Sequence, residues 1–227
     1  MNNKEALRFA ERAAKADGLS ILQLKSLKKV LSACLKNTSL FPKRKKKSSI
    51  PRDKEGIETW VGRYIRAWKK RPSTRSMAPR PKRIDPALEI VTRIRGHLPK
   101  ADAKKGLRVH CDAMAYENAI GALLEEFVAN RLAGHGWHCA WGSTVDKVDF
   151  VGPRNRLLQI KNGSTTENSS SRTVRDGTTI EIWWRRDSNN GKDNWSELRK
   201  VIGRRSTSGL SETNFLKFVE AWARKFE

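Results

Sequence analysis

Val148-Asp149-Phe150-Val151, Gly152-Pro153-Arg154-Asn155 and Leu157-Leu158-Gln159-Ile160-Lys161 follow one another with a single arginine before the last run. Two short apolar segments around a Gly-Pro turn predict a β-hairpin, with strands over 147–151 and 157–161. Side chains two apart on a strand share a face. Gln159 and Lys161 therefore point one way, and Leu158 and Ile160 point the other way, into a core. With Asp149 turned to the same cleft, a carboxylate, an amide and an ammonium converge. Hydrolysis of a phosphodiester needs such a set. A hard divalent cation takes carboxylate oxygens, polarises the phosphoryl group and acidifies a bound water. A lysine beside it positions the water or stabilises the developing charge. The candidate metal ligands are Asp149, Gln159 and the carbonyl of Ile160, with Mg2+ as the expected ion and Lys161 as the group facing the water. The competing reading is a strand that carries an Asp and a Lys by chance.

Upstream of the hairpin, apolar residues Ile120, Leu123, Leu124 and Phe127 recur at helical spacing, predicting an amphipathic helix over 115–133 that Gly134 and Gly136 stop. Glu125 lies on it at a frame shared with Val128, Leu132 and Gly136-Trp137, which makes it the first candidate for a helix carboxylate reaching the hairpin. Glu117, about two turns back, is the second. Glu126 falls nearly opposite the apolar face and is expected in solvent. Further short strands are predicted over 137–141 and 178–185. The alternation in Trp183-Trp184 puts the two indoles on opposite faces. A terminal helix over 215–226 completes an α/β arrangement, a mixed central sheet flanked by helices.

The charge of the chain is lopsided. Its 227 residues carry a formal net charge of +23. Residues 1–106 hold 29 Lys+Arg against 9 Asp+Glu, and residues 107–227 hold 18 against 15. An excess of this size implies a polyanionic partner, nucleic acid before a membrane surface. Residues 1–106 read as a basic, mainly helical region that clamps DNA, and 107–227 as the catalytic domain. Helices are predicted over 5–15, from Ile21 after an N-capping Ser20, over 56–68, and over 87–95. Lys43-Arg44-Lys45-Lys46-Lys47 is an exposed loop, with Lys45, Lys46 and Lys47 as phosphate contacts. The Pro-rich basic stretch 71–86 is a linker or a backbone-tracking arm.

The same composition excludes other classes. No run approaches the roughly 20 apolar residues of a membrane span, and the N-terminus lacks the apolar core of a signal peptide. Cys34, Cys111 and Cys139 form no disulfide framework, so a reducing cytoplasm fits. His135 and His138 have no second ligand pair for a structural zinc.

The spacing D-x9-Q-x-K over Asp149, Gln159 and Lys161 resembles the PD-(D/E)xK nuclease core, with glutamine at its second acidic position. The resemblance narrows over about residues 113–200. Gly121-Ala122-Leu123-Leu124-Glu125-Glu126, Gly136-Trp137, Trp141-Gly142, Val148-Asp149-Phe150 and Leu158-Gln159-Ile160-Lys161-Asn162 run in one order. They continue into Thr166-Glu167-Asn168-Ser169-Ser170-Ser171, Arg175-Asp176-Gly177-Thr178-Thr179-Ile180 and Trp183. This is similar to the SinI-type restriction endonuclease family. Residues 1–105 show no such likeness.

The resemblance implies a metal-dependent type II endonuclease that cuts double-stranded DNA at a short GGWCC-like palindrome, alongside a cytosine methyltransferase. Its catalytic pattern falls on Asp149, Gln159 and Lys161. A palindrome read with two-fold symmetry implies a homodimer. The polar segment after Lys161 has the donors for reading bases. Arg172 and Arg175 are the candidates for guanine, and Asn162, Asn168, Ser170 and Thr178 the supporting contacts. Two alternatives stay open: a modification-dependent or repair nuclease of the same superfamily, and a non-enzymatic nucleic-acid-binding protein.

Overall fold

A computed structural model describes residues 2–42, 53–76, 84–163, 179–203 and 209–227. The N-terminal helices α1 (Asn3–Ala16) and α2 (Ile21–Lys36) each start at a reciprocal capping box, Asn2 with Glu5 and Ser20 with Gln23. Helix α3 (Lys54–Lys69) starts at Asp53, whose carboxylate accepts from the Gly56 N–H at 2.6 Å. Helix α4 (Pro86–Arg95) has Asp85 as its cap and Pro86 at its first position, where the missing N–H costs nothing.

Helix α5 (Lys100–Leu132) is 33 residues long and begins 15 residues before the apolar periodicity does. Residues 100–114 lack that periodicity because this part of the helix buries little beyond Ala103 and Leu107. The helix runs straight through residue 106, where the charge balance changes.

The sheet has the order β1-β2-β3-β4: β1 (His138–Cys139), β2 (Phe150–Val151), β3 (Leu157–Gly163) and β4 (Ile180–Arg186). The first three strands are antiparallel neighbours and β4 lies parallel to β3. The sheet is mixed, as expected. The strands predicted over 137–141 and 147–151 shorten to two residues each, because the chain between them bends under α3 and the turn Thr38–Leu40: the Asp146 N–H donates to the Leu40 carbonyl at 2.8 Å and Trp60 Nε1 to the Thr144 carbonyl at 2.7 Å. Helices α6 (Trp195–Val201) and α7 (Glu212–Lys225) close the chain; α6 was not expected from the sequence.

Two cores cover the two faces of the sheet. Ala10, Leu27, Val30, Leu31, Ile57 and Tyr64 from α1 to α3 pack with Val148, Val151 and Leu157. Leu123, Leu124 and Phe127 from α5 pack with Phe150, Leu158, Ile160 and Trp183, and with Trp195 and Phe215 from α6 and α7. Strand alternation assigns Leu157 to one core and Leu158 to the other. The same alternation buries Trp183 and leaves Trp184 exposed. No helix among the described residues is long and apolar enough to cross a membrane.

Candidate active site

Asp149 stands at the entrance to β2 and is fixed on three sides. Its N–H donates to the Leu158 carbonyl at 3.0 Å and its own carbonyl accepts from Ala140 at 2.8 Å. Its carboxylate Oδ2 accepts from the Ile160 N–H at 2.7 Å. Leu158 and Ile160 thus direct their main-chain groups to the Asp149 side of β3, and in a strand the carbonyl of Ile160 lies on that side as well. Their side chains are buried against α5, while Gln159 and Lys161 are half-buried. The Ile160 N–H thus holds the Asp149 carboxylate, and the charge of Lys161 acts on it.

Glu125 of α5 joins them. Its carboxyl is pushed up to about 8, first by burial, then by the charge of Asp149, with Lys161 opposing the shift. Asp149 is pushed up to about 6 by burial, against the Ile160 hydrogen bond and Lys161. Two carboxyl groups held together in a poorly solvated site resist joint ionisation, and a hard dication would relieve the repulsion. No cluster of three or more His, Cys, Asp or Glu suited to a metal occurs among the described residues. A cation here would therefore take two carboxylates completed by neutral oxygens, of which the Ile160 carbonyl and the Gln159 amide are the nearest in sequence.

The site opens into a cleft of about 730 Å3 lined by Glu117, Glu125, Lys161, Asn162 and Arg186. Glu117 is exposed on its wall, eight residues or about 12 Å up α5 from Glu125. Glu125 is the helix carboxylate that meets Asp149 and Lys161. Asn162 accepts from Arg185 Nε at 3.0 Å. Arg185 is in turn buried, bonded to Glu212 at 2.7 Å and stacked over Phe215. Lys45, Lys46, Lys47, Asn168, Ser170, Arg172, Arg175 and Thr178 lie outside the described residues.

Glu126 corrects the expectation of a solvated side chain. It is 1% exposed. Its carboxylate accepts from the Ser73 N–H at 2.7 Å and from the Ser73 hydroxyl, and pairs with Arg71 at 3.2 Å. The partner turn Pro72–Thr74 comes from over 50 residues away, so helical periodicity carries no signal of it. His138 is also accounted for: its Nδ1 is 2.9 Å from the Ser26 hydroxyl, and burial followed by Lys29 and Lys25 pushes its pKa down to about 4.

Residues 6–225 match the sequence model of the family described as SinI restriction endonuclease. The chain belongs to the SinI restriction endonuclease family. Family membership covers the N-terminal half as well, where the sequence by itself showed no likeness. Among its relatives, the type II restriction enzyme SinI of Salmonella infantis is 34% identical over 148 residues, 63% of this chain and 63% of that protein. The type II restriction enzyme Eco47I of Escherichia coli is 32% identical over 198 residues, 84% of this chain and 85% of that protein. As a member of the family the protein is a type II restriction enzyme, a nuclease of a restriction-modification system.

Proposed function

We propose that this enzyme hydrolyses phosphodiester bonds of double-stranded DNA at a short GGWCC-like site, with Mg2+ held by a PD-(D/E)xK-type centre of Asp149, Glu125, Gln159 and the Ile160 carbonyl. The observation that carries the reading is that Glu125, Ile160 and Lys161 line one cleft while the Ile160 N–H holds the Asp149 carboxylate beside them, within electrostatic reach of Glu125 and Lys161. When bound, the metal supplies charge neutralisation at the phosphate and a more acidic water. Asp149 is held in a fixed rotamer by the Ile160 N–H. Lys161 donates to the attacking water or to the phosphoryl oxygen that gains charge. Water oxygen bonds to phosphorus, the bond to the leaving sugar oxygen breaks, and a proton passes to that oxygen. Gln159 would offer its amide oxygen to the metal or its water, and Glu117 on the cleft wall is the reserve carboxylate. Asp149→Ala and Lys161→Ala should each abolish plasmid cleavage in Mg2+ while keeping the melting temperature and duplex binding. Retained cleavage in either purified variant would remove that residue from the centre.

Residues 1–106, with Lys45, Lys46 and Lys47, supply sequence-independent affinity in this reading. Arg172 and Arg175 read guanine, supported by Asn162, Asn168, Ser170 and Thr178. Asn162 has its side-chain oxygen engaged by Arg185. A cognate cytosine methyltransferase would protect host sites. The enzyme acts as a homodimer. Of twelve large apolar side chains exposed among the described residues, eight lie between Leu88 and Tyr116, on α4, on the first half of α5 and, for Leu98, on the connection between them. Helix α4 has no buried residue at all. Eight half-exposed side chains of this size carry on the order of 800 Å2, about the share each partner gives to a standard interface. A second copy of this chain is the partner that a two-fold-symmetric site requires.

A further inference from the structure

Glu125 lies between two depressions. One is the cleft that holds Lys161. The other, about 470 Å3, is walled by α3, by the Pro72–Thr74 turn and by the loop Trp141–Ser143, and Glu125 and Ala122 line both. The side chains of the second are cationic: Arg63, Arg66 and Lys70 of α3, and Arg75 just past the turn. All four are exposed. Their sequence neighbours Lys69 and Arg71 are ion-paired, with Asp17 and with Glu126. Among the described residues no carboxylate is ion-paired with any of the four.

The arrangement is built in. Arg63, Arg66 and Lys70 follow i, i+3, i+7 spacing and share one face of α3, turned away from buried Ile57, Val61, Tyr64 and Ile65. Gly142 has φ +76°, and a Cβ there would meet the Ala67 Cβ at 2.8 Å and the Arg63 carbonyl at 3.2 Å. The loop after β1 can lie this close to α3 because residue 142 lacks a side chain. Arg75 is placed from the other side. The turn before it is tied to α5 through Glu126, and to α7 through Trp222 Nε1, which donates to the Arg75 carbonyl at 3.1 Å, and Lys225, which donates to the Ser73 carbonyl at 3.1 Å. Four converging cations, none of them ion-paired among the described residues, repel one another unless a polyanion meets them.

We propose that Arg63, Arg66, Lys70 and Arg75 form a track for the phosphodiester backbone of the DNA strand that flanks the scissile phosphate. The strand passes Glu125 with this track on one side and the Lys161 cleft on the other. Along α3, Arg63 to Lys70 spans roughly 10 Å at about 1.5 Å per residue, the length of about three steps of one strand at ~3.4 Å of duplex axis each. The inference rests on the reading of Asp149, Glu125 and Lys161 as the cleaving centre.

The test measures binding of a short random-sequence duplex to the full chain, with Ca2+ in place of Mg2+, across a series of salt concentrations. The triple variant Arg63→Gln, Arg66→Gln, Lys70→Gln should lower the log–log salt slope by about 0.9 per lost contact, roughly 2.7 in all. The charge-keeping pair Arg63→Lys, Arg66→Lys should retain the wild-type slope. On a duplex carrying a mapped cleavage site, ethylating phosphates on one flank of the cut should inhibit wild-type binding and lose that effect in the triple variant. A folded triple variant with the wild-type slope and ethylation pattern overturns the track. So does an equal loss of slope in the control Lys200→Gln, Lys217→Gln, which removes charge on α6 and α7. The centre itself is tested apart: cleavage retained by Asp149→Ala refutes the centre and leaves the slope measurement standing on its own.

Discussion

At the residue scale, the fold raises the pKa of two carboxyl groups of the proposed centre. Glu125 sits near 8 and Asp149 near 6, both above their ordinary values. The native protein therefore keeps protons that the unfolded chain has lost between about pH 4 and pH 8, and without metal its stability falls as pH rises through that window. A dication binds the deprotonated pair and displaces those protons. Melting of the metal-free protein should drop from pH 5 to pH 8, and added Mg2+ should raise the melting temperature more at pH 8 than at pH 5. Glu125→Gln should remove most of both effects; an unchanged pH profile in that variant would show that Glu125 carries no displaced proton. Specificity is also a residue-scale matter. A bidentate arginine–guanine contact is worth about 1–3 kcal/mol of discrimination. If Arg172 or Arg175 makes it, alanine at that position should cut cleavage of the target far more than binding to random DNA. Profiling both variants on a randomised-site library checks this, and wild-type preference in both would move base reading elsewhere in the chain.

At the element scale, α5 does two jobs with adjacent residues. Glu125 faces the cleft, and Glu126 faces inward to hold the turn that carries Arg71 and Arg75. Removing Glu126 strips acceptors from the Ser73 N–H, its hydroxyl and Arg71. Arg71 is half-buried and can rehydrate, which keeps the loss to about 2–3 kcal/mol, toward the lower end for charged groups. At about 2–4 °C per kcal/mol for a chain of this size, Glu126→Ala should melt roughly 5–10 °C lower, and Glu126→Gln should lose less because it keeps an acceptor. Equal melting of Glu126→Ala and wild type in thermal denaturation would mean that the turn is held by Trp222 and Lys225 alone.

At the scale of the whole molecule, the apolar stretch from Leu88 to Tyr116, proposed above as the dimer face, makes one prediction. Ile90→Asp with Ile94→Asp should convert a dimer to a monomer in sedimentation, without lowering the melting temperature by more than about 1–2 °C, since exposed positions contribute little to the fold. A dimer that survives both charges uses another surface. The same scale shows how far the sequence reaches. The cap at Ser20, the apolar face of α3 and the alternation of Leu157 to Lys161 act within a few residues, so the start of α2, strand β3 and the opposite faces of Trp183 and Trp184 were legible. The pattern over Asp149, Gln159 and Lys161, followed by Thr166 to Ser171, was enough to point to the family. Tertiary structure decided the rest. Helix α5 extends back to Lys100 through residues with no periodic face, strands β1 and β2 shrink where the chain bends under α3, and Glu126 is buried by a turn from the N-terminal half. The cations of α3 could be read as one helical face, but not as neighbours of Glu125. Periodicity and caps are local and leave marks in the chain, whereas which helix lies beside the site depends on packing between segments distant in sequence, for which a single sequence holds no spacing rule.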